Sequence, residues 1–162
     1  MKKYIIIFLV FTLSNLIYSQ EFDLNLMKKL TKISFFSADD FMIEGYGFEK
    51  IREENDGLKL VYARHYNNDW DNTIIISILS SKPIQKEMNG LKYFYRKPNV
   101  LDIKVAQNYN IRVIKDSILS RGFEYIDSPL AGFTAYEKEK YTYLIGKEPN
   151  KEGGTQIMLI TD

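Results

Sequence analysis

The stretch "IEGYGFEKIREENDG", Ile43–Gly57, is answered 75 residues later by "ILSRGFEYIDSPLAG", Ile118–Gly132. Six of the 15 aligned positions are identical: Ile43/Ile118, Gly47/Gly122, Phe48/Phe123, Glu49/Glu124, Ile51/Ile126 and Gly57/Gly132. Unrelated segments of this length would share roughly one. The matches fall where backbone geometry is most demanding. One glycine is placed to end a helix in the left-handed conformation, and the other to close a hairpin. The apolar residues between them keep the period of two that a strand needs. The spacing predicts one helix-stop, strand and turn module used twice.

Upstream of the first copy the pattern is helical from Phe22. Leu26, Met27, Leu30 and Ile33 share one face, with Lys28, Lys29 and Lys32 opposite. Ser37 with Asp40 reads as a capping box for a short helix from Ala38 to Glu44, and Asp39 suits the positive end of that helix. Phe48–Arg52, the Asp-Gly turn within Glu54–Gly57 and Leu58–Tyr66 read as a hairpin. Leu58, Leu60, Tyr62, Arg64 and Tyr66 occupy one face of the returning strand, and Lys59, Val61, Ala63 and His65 the other. "TIIISILS", Thr73–Ser80, is a β-branched run expected to be a buried strand.

Ser81–Asn89 is polar and contains Pro83, so it reads as a connector between a first unit (residues 20–80) and a second (residues 90–162). Leu91–Arg96 is expected as a strand, and Val100–Gln107 fits strand or helix. Asn108–Arg121 is expected as a helix carrying Ile111, Ile114 and Ile118, stopped by Gly122. Phe133–Lys138, Tyr141–Gly146 and Thr155–Thr161 are strand candidates around a loop at Lys147–Gly154. The expected fold class is α+β, in which two related helix-plus-three-strand units form an antiparallel sheet with helices on one face. Residues 20–162 are expected to make one compact domain.

At the N-terminus Lys2 and Lys3 precede the apolar run Tyr4–Leu13, Ser14 and Asn15 break it, and Ser19 stands just before Gln20. That is the plan of a secretory signal peptide over residues 1–19, and the run is short of the roughly 20 residues a spanning helix needs. The expectation is a periplasmic or extracellular protein with no stable membrane insertion. Loss of residues 1–19 removes only Lys2 and Lys3 from 22 basic residues that face 21 acidic ones. This near-neutral balance argues against nucleic acid or anionic membrane as a partner. Absence of cysteine rules out disulfides, a thiolate nucleophile and Cys-based metal sites.

The order of helix, "GYGF", strand, Asp-Gly turn, strand and Ile-rich closing strand resembles uncharacterised secreted proteins of Gram-negative bacteria whose signal ends in Ser-Gln. That family carries no assigned chemistry. The tandem plan is also similar in topology to the secreted beta-lactamase inhibitor proteins, which use a concave sheet surface for binding. That similarity is one of topology alone, and because this chain lacks the disulfides of that family it does not imply inhibition of a beta-lactamase.

Catalytic patterns are missing. His65 is the single histidine, and no G-x-S-x-G, P-loop or H-E-x-x-H sequence occurs. "NNDWDN", Asn67–Asn72, alternates like the start of a calcium loop, yet Asn72 and Ile78 stand where glycine and glutamate are needed. Asp39, Asp40 and Glu44 read as capping and surface carboxylates, better than as a hydrolytic pair. No catalytic residue, metal ligand or cofactor is expected. The residue types enriched at protein interfaces cluster instead at Tyr62, Arg64, Tyr66 and Trp70, with Tyr136, Tyr141 and Tyr143 in comparable places of the second half. The expected function is non-enzymatic binding of another protein, as an inhibitor or immunity-type protein, through the sheet face that lacks helices. A small carboxylate- or metal-dependent secreted hydrolase and a structural envelope protein are the alternatives.

Overall fold

The computed structural model describes residues 24–54, 58–66, 69–80, 83–88, 91–96, 98–106, 111–150 and 154–161, with the backbone alone for residues 36, 54, 66, 69–72, 83–88 and 91–96. The leader-like residues 1–19, the Asp-Gly turn at residues 55–57 and Asn67 and Asn68 lie outside the described residues.

The fold is α+β, with few helices against one antiparallel sheet. Helix α1 is Leu24–Leu30, followed by a 3₁₀ turn at Phe35–Ser37 and a π-helical turn at Asp40–Glu44. Strands β1 (Glu49–Glu54), β2 (Lys59–Tyr66) and β3 (Asp69–Leu79) form a meander. After β4 (Pro83–Met88), β5 (Leu91–Arg96) and β6 (Val100–Val105) come helix α2 (Ile111–Ser120) and strands β7 (Glu124–Ile126), β8 (Phe133–Lys138), β9 (Tyr141–Gly146) and β10 (Thr155–Thr161). Eight strands make one sheet in the order β1-β2-β3-β6-β10-β9-β8-β7, while among the described residues β4 and β5 pair only with each other. No described helix is long and apolar enough to cross a membrane.

Side-chain parity explains the layering. Ile74, Ile76 and Ile78 of β3 stand opposite Val105, Ile103 and Leu101 of β6, which in turn face Ile157 and Leu159 of β10. All are buried, in one core with Leu24, Leu26, Met27 and Leu30 of α1 and Ile118 of α2. The helices therefore cover that face, and alternation sends Val61, Ala63, Ile75, Ser77, Asp102, Lys104, Gln156 and Met158 to the other.

Several local details depart from the sequence reading. The stretch expected as a polar connector contains β4, whose Pro83–Met88 pairs in register with Arg96–Leu91 of β5. Pro83 is compatible because it opens a strand of a two-stranded arm, where one N–H is dispensable. The segment that fitted strand or helix is β6, a strand at the middle of the sheet. The cap belongs to Ser34, not Ser37: Ser34 Oγ accepts from the Ser37 N–H at 3.2 Å, and Asp39 makes no capping hydrogen bond.

Both glycines of the repeated motif hold positive φ, 66° at Gly47 and 76° at Gly122. At Gly122 the Phe123 N–H reaches Ile118 O and the Gly122 N–H reaches Leu119 O, the paired bonds of a Schellman stop. At Gly47 the wider π turn shifts the pattern by one residue, and the Phe48 N–H reaches Met42 O at 3.0 Å. Met42 is buried there while Ile43 is exposed, so Met42 holds the place that Ile118 holds before Phe123. Ile51, aligned with Ile126, is the extra residue of a β-bulge between Lys50 and Arg52 and is exposed.

Candidate functional site

Among the described residues, ionisable groups converge most closely between the π turn and the β1–β2 edge. A π turn carries one more residue per turn than an α-helix. Here the backbone is helical from Ala38 to Tyr46, and the widened turn is closed by the Gly45 N–H on Asp40 O. Asp39 and Met42 are both turned to β2: Met42 enters the core and the Asp39 carboxylate meets Tyr62. Tyr62 Oη donates to Asp39 Oδ1 at 2.5 Å, and Lys50 Nζ donates to Asp39 Oδ2 at 3.0 Å and to Glu53 Oε2 at 3.1 Å. Lys50 comes to this place because it lies directly opposite Tyr62 in the β1–β2 register.

Burial pushes the Tyr62 hydroxyl far above its ordinary value, and the hydrogen bond to the Asp39 carboxylate adds to it. Burial alone would raise Asp39, but the hydrogen bonds from Tyr62 and Lys50 and the Lys50 charge hold it below the usual carboxylate value. Its bond to Asp39 raises Lys50 against the cost of partial burial, with Glu53 adding to the rise. Each group is fixed in its resting form, which suits neither a general acid, a general base nor an amine nucleophile near pH 7. This cluster is a latch that holds the π turn on the sheet edge.

The interface residues expected from the sequence are divided by this arrangement. Tyr62 is fully buried on the helix-covered face, with its hydroxyl held inside the latch. Arg64 shares that face. It is half-buried, donates from Nη1 to Tyr46 O at 2.9 Å and lies 4.8 Å from the Phe48 ring centroid. Neither side chain lies on the face without helices. Tyr66 and Trp70 are placed by their backbones at the β2–β3 end, where Tyr66 pairs with Asp69 across a register shift. In the second half, Tyr136, Tyr141 and Tyr143 are likewise buried on the core side.

The helix-free face has a character the sequence reading did not single out. Along adjacent strands, Leu79 faces Val100 and Val100 faces Ile160, beside the row Ser77, Asp102 and Met158. Ile75, Leu79, Val100, Met158 and Ile160 are half-buried, while Val61, Ala63, Ala135 and Leu144 on the same face are buried. Polar groups among them are tied down: Gln156 Nε2 donates to Asp102 Oδ1 at 2.7 Å, and His65 Nδ1 and Thr73 Oγ1 share a hydrogen bond of 2.8 Å. The signal for this patch was in "TIIISILS", whose alternate positions are apolar on both sides of the strand. Among the described residues no three histidine or acidic side chains gather as a metal site.

Comparison with known proteins finds no match to this chain among protein-family models, curated proteins or solved structures.

Proposed function

We propose that this chain is an exported, non-enzymatic binding protein of the inhibitor or immunity type, and that it presents the helix-free face of its eight-stranded sheet to another protein. The supporting observation is the apolar row Leu79, Val100 and Ile160 with Met158 beside it, half-buried across three adjacent strands, and Ile75 further along β3 beyond Ser77. A sheet face meant only for water alternates to polar residues, and a contiguous apolar block on such a face marks interaction sites. Tyr66 and Trp70 are placed at the β2–β3 end, the opposite end of β3 from Leu79, and Tyr62 and Arg64 belong to the helix-covered side. The order of the sheet, with β1-β2-β3-β6 on one side and β10-β9-β8-β7 on the other, supports an origin in two related units. So do the two glycine stops before Phe48 and Phe123.

The test uses the chain from Gln20 as bait against envelope extract and culture medium of the native cells. Ile75→Arg and Met158→Arg are expected to abolish capture of the proteins the unchanged bait retains, with unfolding midpoints close to the unchanged chain. Equal capture by both variants would overturn the reading. Export is tested by fusing residues 1–25 to a reporter active only outside the cytoplasm.

A further inference from the structure

The sheet edge opposite β1 consists of β7 and the loop after it. Two large apolar side chains stand out there, Tyr125 at 64% exposure and Leu130 at 42%. The loop that carries Leu130 is braced. Ser128 Oγ donates to Leu130 O at 2.8 Å and accepts from the Leu130 N–H at 3.2 Å. Gly132 closes the loop at a φ of 82° and accepts at its carbonyl from the Lys147 N–H at 2.9 Å. A preformed loop with apolar tips loses little conformational freedom when it docks.

The charges beside these tips are placed against the interest of stability. Glu124 lies directly opposite Glu137 in the β7–β8 register, and both are exposed. Like charges directly opposite one another across an antiparallel pair are destabilising. Asp127 follows on the same edge and is exposed as well. None of the three carboxylates has an ion pair or hydrogen bond among the described residues. Nearby lysines are engaged elsewhere, Lys138 on Arg121 O at 2.6 Å and Lys140 5.5 Å from the Tyr141 ring centroid.

We propose that this edge, residues 124–132 with Glu137, is an anchor for a partner protein that offers an apolar pocket rimmed by lysine or arginine. Leu130 and Tyr125 supply the apolar anchors, and Glu124, Asp127 and Glu137 meet the basic rim. Unpaired carboxylates of this kind orient and speed the encounter and are screened by salt. The proposal rests on the reading of the chain as a binding protein but adds a second contact at the β7 edge, where Glu124 and Glu137 stand on the helix-free side of the sheet and Tyr125 on the other.

The experiment compares full-length baits from Gln20 carrying Leu130→Asp, Tyr125→Asp, Glu124→Gln/Glu137→Gln or, as control, Leu119→Asp, which alters an equally exposed leucine on α2. Leu130→Asp and Tyr125→Asp are expected to reduce capture at least tenfold, and Leu119→Asp to leave it unchanged. The double glutamine variant is expected to reduce capture while raising the unfolding midpoint by about 1–3 °C, because the opposed charges are gone. A benzophenone side chain at position 130 is expected to crosslink to a partner segment bordered by Lys or Arg. Undiminished capture by Leu130→Asp, or an adduct to a second copy of this chain, would overturn the proposal. If Met158→Arg abolishes capture and Leu130→Asp does not, the sheet-face reading stands and the edge fails. The reverse result keeps the edge and removes the sheet face, and absence of any captured protein removes both.

Discussion

Tyr62 and Asp39 are 23 residues apart along the chain, and they meet in a hydrogen bond where the π turn rests on β2. Tyr62→Phe keeps the ring in the core and removes one hydrogen bond to a carboxylate, so it should cost about 1.5–2 kcal/mol in urea unfolding. Asp39→Ala should cost about 2–3 kcal/mol, because it also leaves the Tyr62 hydroxyl buried without its acceptor. The pH dependence has two limbs. Asp39 is lowered, so its contribution is present above the unfolded value of 3.8 and is lost as pH falls through the folded value beneath it. Tyr62 is raised, so its contribution is complete below the unfolded value of 10.0 and declines as pH rises past it, when the unfolded tyrosine ionises first. Stability measured between pH 9 and 12 should fall less steeply in Tyr62→Phe than in the unchanged chain.

At the level of elements, the turns and stops carry the most exacting demands. Gly122→Ala places a side chain at a φ of 76° and should cost about 1–2 kcal/mol. Gly154→Ala should be worse, about 2–3 kcal/mol, since its Cβ would fall 2.2 Å from the Val105 carbonyl oxygen, where β10 meets β6. Glu139 holds a φ of 55° in the two-residue turn between β8 and β9, and Glu139→Asn should stabilise by about 0.5 kcal/mol because asparagine tolerates that region. Equilibrium unfolding of the three variants checks all three signs. The glycine stops, the β1–β2 pairing and the strand at Thr155–Thr161 were legible because local chemistry determines them, whereas the strand expected from Thr73 begins at Asp69. The π turn was not, since it arises from the joint demand that Met42 enter the core and Asp39 reach Tyr62. Parity along β2 was also legible, but not which side meets the helices. Val61 and Ala63 are as apolar as Leu60 and Tyr62, and the choice is made by Ile74, Ile76 and Ile78 on the neighbouring strand. One strand of the patch on the helix-free face showed in "TIIISILS", but its joining to Val100, Met158 and Ile160 depends on strands from distant parts of the chain.

For the whole molecule, the eight-stranded sheet is continuous without the β4–β5 arm, because β3 and β6 pair directly from Ile74–Val105 to Leu79–Val100. Replacing residues 82–97 by a short glycine-serine loop should therefore preserve a single cooperative unfolding transition, with a midpoint within a few degrees of the unchanged chain, as read by circular dichroism. β10 behaves in the opposite way. It is the last of the ten described strands, yet it lies between β6 and β9 and joins the two halves of the sheet. Until that strand emerges from the ribosome, β6 and β9 have no neighbour at the seam and the two halves share no backbone hydrogen bonds there. The order of synthesis thus delays closure of the sheet until β10 has followed both of its neighbours out of the ribosome.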